Sequence, residues 1–232
     1  MNNNREVGRK LSDITNEHKI KIDMENQEQI FWNWFVENKL LFENILSSVK
    51  SLNQDEIDNA MNLFEENLHK YNENIWFRMG GKNPFELIIT AEGNKDIFPF
   101  VEKLVENSPK IENWEIISFI QPKNIDKFYY KKDDYELTAN NIFFSFSENL
   151  SGQGGCFFET MFYVTDDKFI DDDGFKSSII RIAETAVGEY DFARIIGFIG
   201  VVPTSDIFLD HESGLIPINQ LSQKVDEIKS EN

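Results

Sequence analysis

Cysteine is almost missing from this chain of 232 residues, where Cys156 stands alone. One thiol closes no internal disulfide, and such sparing use suits a reducing compartment, so the cytoplasm is the expected location. Long apolar runs are missing too. No stretch approaches the ~18 consecutive apolar residues of a membrane span, and the Asn-rich, mixed-charge N-terminal residues lack the apolar core of a signal peptide. No membrane partner is expected. Positive charge is scarce: 23 Lys and Arg stand against 41 Asp and Glu, a formal charge of −18. A field of that sign repels phosphate backbones and anionic membrane surfaces, which argues against nucleic-acid binding. The same field speeds encounter with a basic protein partner, although acidity also simply keeps a folded body in solution. The excess belongs to that body, because residues 1–30 hold five Lys/Arg and six Asp/Glu.

Residues 1–27 are polar and lack sustained periodicity, which predicts a flexible N-terminal segment. From Glu28 the pattern changes. Phe31, Trp34, Phe35, Leu41, Phe42 and Ile45 recur at spacings of three, four and seven, one face of a helix. Trp32, Val36 and Leu40 widen that stripe, so it needs cover on more than one side. Asn53 with Glu56 three residues later reads as a capping box opening a second helix. Its inner face is Ile57, Met61, Phe64, Leu68 and Tyr71, with Glu66 and Lys70 as an outer i,i+4 pair.

Beyond the helices one order of elements occurs twice. Strands over Ile75–Met79 and Glu86–Glu92 precede a helix over Ile97–Glu106 and a strand over Trp114–Gln121. Strands over Ile142–Ser147 and Cys156–Thr165 precede a helix over Phe175–Val187 and a strand over Ile195–Val202. In the first pass Asp96 is placed to cap the helix, and Pro99 falls in the first turn, where no amide donor is needed. In the second, Phe175, Ile179, Ile182, Ala183 and Ala186 face the core, and Gly188 supplies the stop. The closing strand of each pass is apolar on both faces, which predicts a central position in the sheet. Ile218–Lys229 reads as a short amphipathic helix. The expected class is therefore α+β: a mixed, mainly antiparallel sheet built from two strand–strand–helix–strand (split β-α-β) units and preceded by two amphipathic helices. A single α+β domain is expected over 28–232, with pseudo-repeats at about 75–122 and 142–203.

Chemical motifs fail on context. Ser151-Gly152-Gln153-Gly154-Gly155 is glycine-rich but leads into a strand, so it reads as a hairpin turn rather than a phosphate cradle. Asp171-Asp172-Asp173-Gly174 misses EF-hand spacing, since the required ligand positions fall on Phe169 and Ile180; acids there suit the positive end of the following helix dipole. His18, His69 and His211 show no metal-ligand spacing. Cys156 alternates with core residues, as a buried structural thiol would. Neither metal nor cofactor is expected. Six side chains remain as candidate ligand or partner contacts. Trp76 and Arg78 share a strand face opposite Glu86, Thr90 and Glu92, which fits either a cross-strand ion pair beside an indole or a contact to an anion or peptide. Glu159 shares a face with Met161 and Tyr163, while Glu189 and Asp191 follow the second helix. No carboxylate pair shows the spacing of a hydrolase.

The stretches NLHKYNENIWFRMGG, FELIITAEGN, FPFVEKLV, WEIISFIQP and GEYDFARIIGFIGVVP resemble a family of uncharacterised bacterial cytosolic proteins over roughly residues 28–203. The resemblance implies a bacterial cytosolic protein and carries over no catalytic residue. In general style the acidic split β-α-β body also resembles small bacterial inhibitor and immunity proteins that bind a basic partner, a likeness of fold rather than of site. Two functions follow as expectations. One is a non-catalytic protein-binding or regulatory module, inhibitor- or immunity-like, that engages a basic partner through an acidic or aromatic surface. The other is a small-molecule-binding domain or enzyme with a pocket between the two units.

Overall fold

The computed structural model describes residues 27–48, 52–132, 135–148, 158–165, 168–204 and 214–231. The candidate turn at 151–155, Cys156, His18 and His211 lie outside them. The chain is α+β, with six α-helices and mixed sheets among the described residues. No helix among them is long and apolar enough to cross a membrane. Contacts divide the chain into two compact units: Met1–Ala91 with Asp96–Ser118, and Glu92–Lys95 with Phe119–Asn232.

The first unit opens with helix α1, residues 27–48, and helix α2, Gln54–His69. Asn53 and Glu56 form the expected capping box: the Asn53 side chain accepts from the Glu56 amide at 2.9 Å, and Glu56 accepts from the Asn53 amide at 3.1 Å. Two of the first turn's orphan donors are thereby satisfied. Strands β1 (Trp76–Gly81) and β2 (Phe85–Thr90) pair antiparallel, helix α3 spans Phe98–Glu106, and β3 (Trp114–Ser118) returns parallel to β2. Asp96 is not the cap of α3; the helix begins one residue later, after Ile97, with no side-chain cap and Pro in its first turn. The sheet order is β1-β2-β3, so β3 is an edge strand rather than a central one. Apolarity on both faces reports what covers a strand, not how many ladders it joins.

The core of this unit is aromatic. Phe64 of α2 is fully buried, with the rings of Phe31, Trp34, Phe35, Phe42 and Phe77 at 4.3–5.8 Å, mostly edge to face. That geometry matches ring quadrupoles, each pair adding about 0.5–1.5 kcal/mol beyond burial. The two buried indoles find acceptors: Trp32 Nε1 donates to the Leu104 carbonyl at 2.8 Å, and Trp114 Nε1 to Glu43 at 2.9 Å. The wide stripe of α1 is covered on the Trp32 side only. Val36 and Leu40 are exposed, and so is Leu41, which the periodicity had placed inside.

The second unit carries the same order of pairings. A hairpin of β4 (Tyr129–Lys132) and β5 (Tyr135–Thr138) comes first, unforeseen from the sequence. Then β6 (Ile142–Glu148) and β7 (Phe158–Val164) pair antiparallel, helices α4 (Asp173–Val187) and α5 (Glu189–Ile195) follow, and β8 (Ile196–Pro203) lies parallel to β7. A short β9 (Ile216–Pro217) pairs with β6, and α6 (Leu221–Glu231) ends the described chain. Sheet order is β8-β7-β6-β9, so β8 too is an edge, against expectation. The α4 face holds: Phe175, Ile179, Ile182, Ala183 and Ala186 are all buried with Ile142, Phe144, Phe162 and Val164 of the sheet. Asp172 caps α4 by accepting from the Phe175 amide at 2.8 Å, which accounts for the acidic run before it. Gly188 stops the helix at φ 85°, ψ 151°, a conformation L-residues essentially never adopt.

Candidate functional site

The candidate contacts fall into two groups by unit. On β1 the register sets Trp76 against Thr90 and Arg78 against Ile88, with Glu86 opposite Gly80. The cross-strand ion pair therefore does not form; Arg78 is exposed and has no ion-pair partner among the described residues. Trp76 is 40% exposed, with the His69 ring edge-on at 5.3 Å. The His69 ring is itself placed: Nε2 sits 3.1 Å from the Ile75 carbonyl and Nδ1 3.8 Å from Glu65. Lys70 reaches Asn67 at 2.8 Å rather than the expected Glu66.

In the second unit, the acids are dispersed and occupied. Glu159 is exposed on β7, its carboxylate 3.5 Å from the Ser147 hydroxyl. Asp191 holds Lys229 at 2.6 Å; that hydrogen bond keeps the ammonium pKa above its ordinary value. Glu189 is fully buried. Its carboxylate accepts from the backbone amides of Gly93 and Ile120, both at 3.1 Å, while its own amide donates to the Ile120 carbonyl at 2.8 Å. The residues just before those two donors, Glu92 and Phe119, have φ of 48° and 64°. Left-handed backbone costs an L-residue about 1–2 kcal/mol. Glu189 therefore braces two strained turns, a structural employment for a buried charge.

A second buried carboxylate was missed from the sequence. Glu28, in the first turn of α1, is 2% exposed, and its Oε1 lies 2.9 Å from Lys103 Nζ of α3. The approach is close but off the hydrogen-bonding direction, so charge rather than alignment holds the pair. Beside it, the Tyr71 hydroxyl donates to the Phe100 carbonyl at 3.1 Å. Burial first, and the Glu28 carboxylate second, hold the Tyr71 pKa well above the ordinary phenol value. The signal for Glu28 was present: it stands three, four and seven residues before Phe31, Trp32 and Phe35, on the buried face.

The reachable charge gathers on the helices of the first unit. Residues 27–69 carry eight carboxylates against two lysines, and all of the eight but Glu28 are at least partly exposed. Glu37 and Asp55 have no partner among the described residues. Between α1 and α2 runs a groove of about 390 Å³ lined by Leu41, Ile45, Leu52, Glu56, Asn59, Ala60 and Leu63. In the second unit a cleft of about 300 Å³ is lined by polar residues including Lys123, Asn124, Asp126 and Asn219. None of the candidate acids lines it. Three of its polar groups bond to one another: the Asn124 side chain donates to Asp126 at 3.0 Å and accepts from the Asp126 amide at 2.8 Å, and Asn219 donates to Asp126 at 3.5 Å. Among the described residues no group of three or more His, Cys, Asp and Glu side chains is placed to hold a metal ion. No protein family model, curated protein or solved structure matches the chain.

Proposed function

We propose that this protein is a non-catalytic binding or regulatory module of the bacterial cytosol, and that the acidic helical layer of its first unit engages a basic protein partner. The observation that carries this reading is the coincidence, over residues 27–69, of eight carboxylates against two lysines with an apolar side chain left partly in water at the groove between the helices, Leu41 at 39% exposed. Solubility alone calls for charge but not for apolar groups left in water beside it. Carboxylates around such groups steer a basic partner in and reject acidic ones, while the apolar contact supplies affinity. The field that attracts a basic protein repels nucleic acid and anionic membranes. The common order of strand pairings in the two units supports a duplicated split β-α-β motif as the scaffold.

The test is capture on the immobilised full-length chain from an extract of its host, with washes at low and high salt. The screening length falls from ~10 Å at 0.1 M to ~3 Å at 1 M, so a basic protein should be retained at low salt and released at high. Retention of nothing, or of acidic proteins indifferent to salt, overturns the reading. The second reading, a small-molecule site, draws on the polar cleft of about 300 Å³ in the second unit. The mutual hydrogen bonding of Asn124, Asp126 and Asn219 in its lining weakens that reading.

A further inference from the structure

Resting on that proposed function, we infer that the groove between α1 and α2 seats an amphipathic helix of the basic partner, apolar edge inward and Lys or Arg side chains over the α2 carboxylates. The shape of the lining carries this. Leu41 and Ile45 stand one turn apart on α1, and Glu56, Asn59, Ala60 and Leu63 step along α2 at spacings of three, one and three. With a rise of about 1.5 Å per residue, that row spans about two helical turns. Ridges at i, i+3, i+4 and i+7 of an incoming helix fit such a furrow, as in other helix-in-groove recognition.

The rest of the lining narrows the occupant. A strand would need free backbone donors and acceptors, and the groove walls are helices whose amides are spent internally, so strand addition is excluded. A second copy of this chain would lay eight carboxylates and two lysines against the same set, and like-charge juxtaposition opposes it. A neutral apolar helix would leave the rim charge unanswered. Glu56 already accepts from the Asn53 amide with one oxygen, at 3.1 Å, yet keeps its full negative charge at the groove. Asp55 beside it has no partner among the described residues. A helix that is basic on its flanks and apolar on its edge answers both demands.

The probe is a fluorescent synthetic peptide of Leu and Lys with the leucines at helical spacing, titrated with the full chain and followed by anisotropy. A peptide of the same composition in scrambled order, and a Leu/Glu counterpart, serve as controls. Leu41→Ser removes a groove wall that is half in water, so the fold should survive it. Leu40→Ser makes the same change on the same helix outside the groove lining. The expected result is about tenfold weaker binding for Leu41→Ser, which is what losing most of one leucine's contact area gives. Leu40→Ser should bind like the parent, and both control peptides should bind poorly. Equal binding by both variants, or by the scrambled peptide, overturns the groove while leaving a diffuse acidic surface intact. No binding of any lysine peptide overturns the groove and the basic-partner reading together.

Discussion

Replacing Gly188 by alanine should cost the second unit about 3 kcal/mol, and the components can be worked from the backbone. Its φ of 85° and ψ of 151° lie where a side chain costs about 1–3 kcal/mol. A Cβ there would stand 2.8 Å from Pro122 Cδ, 3.0 Å from Pro122 N and 3.1 Å from the Ile120 carbonyl. None of these can swing aside, since one is a ring atom and two are backbone; such overpacking costs about 1–3 kcal/mol more. Against this, alanine restricts the unfolded chain and returns about 0.4–1 kcal/mol. Nor can the segment move away cheaply, because the Glu189 amide bonds to the Ile120 carbonyl and the Glu189 carboxylate to the Ile120 amide. Urea unfolding followed by far-ultraviolet circular dichroism reads the loss. Gly80→Ala is the matched control: it lacks positive φ and has nothing within 4 Å of its Cβ position, so its change should stay within about 1 kcal/mol. A Gly188→Ala loss no larger than that of the control would refute the reasoning.

Three further outcomes are expected. Phe64→Ala removes the ring that five others surround and should cost about 3–5 kcal/mol, with a changed tryptophan emission because Trp34 lies 5.8 Å away; a loss under about 1.5 kcal/mol would mean the cluster refills itself. Glu189→Gln offers one oxygen where two backbone amides point and turns a donor toward a donor, so stability should fall by about 1–3 kcal/mol in urea titration. Tyr71 keeps its proton in the folded chain at pH values where the unfolded chain, titrating near the ordinary 10.0, has released it. Its contribution is therefore complete below about pH 10 and is lost as pH rises from there toward the folded value. Melting temperatures taken from pH 8 upward should fall more steeply for the parent than for Tyr71→Phe, and parallel curves would contradict this.

The parts of the fold that were legible depend on near neighbours in the chain. The Asn53–Glu56 capping box, the apolar face of α4 and the Gly188 stop each involve residues within a few turns of one another, and each stands as read. The hairpin β4–β5 was invisible because, among its residues whose burial is described, only Leu137 is deeply buried; its visible order is a surface trio in which Glu136 accepts from Tyr129 at 2.8 Å and Lys131 at 3.0 Å. Helix α5 escaped because it restarts one residue after α4, so one apolar pattern runs into the next. The edge positions of β3 and β8 were misread for a different reason. Ile116 and Ile117, or Ile199 and Val201, report partial burial, and helices or loops can supply that as well as a neighbouring strand can.

The candidate acids were the least legible, and the cause is long range. Nothing near Glu189 in the chain announces that Gly93 and Ile120 will point their amides at it, and nothing near Glu28 announces Lys103. A carboxylate can move protons for a substrate only if it is both reachable and held in place. Here Glu28 and Glu189 are enclosed and Asp191 is tied to Lys229, each engaged with its own fold. The reachable ones on α1 and α2 stand in water, where a charge acts through its field more than through chemistry. Sequence counting merges the two classes into one number, −18, although only the second can meet a partner. The proposed recognition role draws on that separation, that is, on which carboxylates the fold has already used.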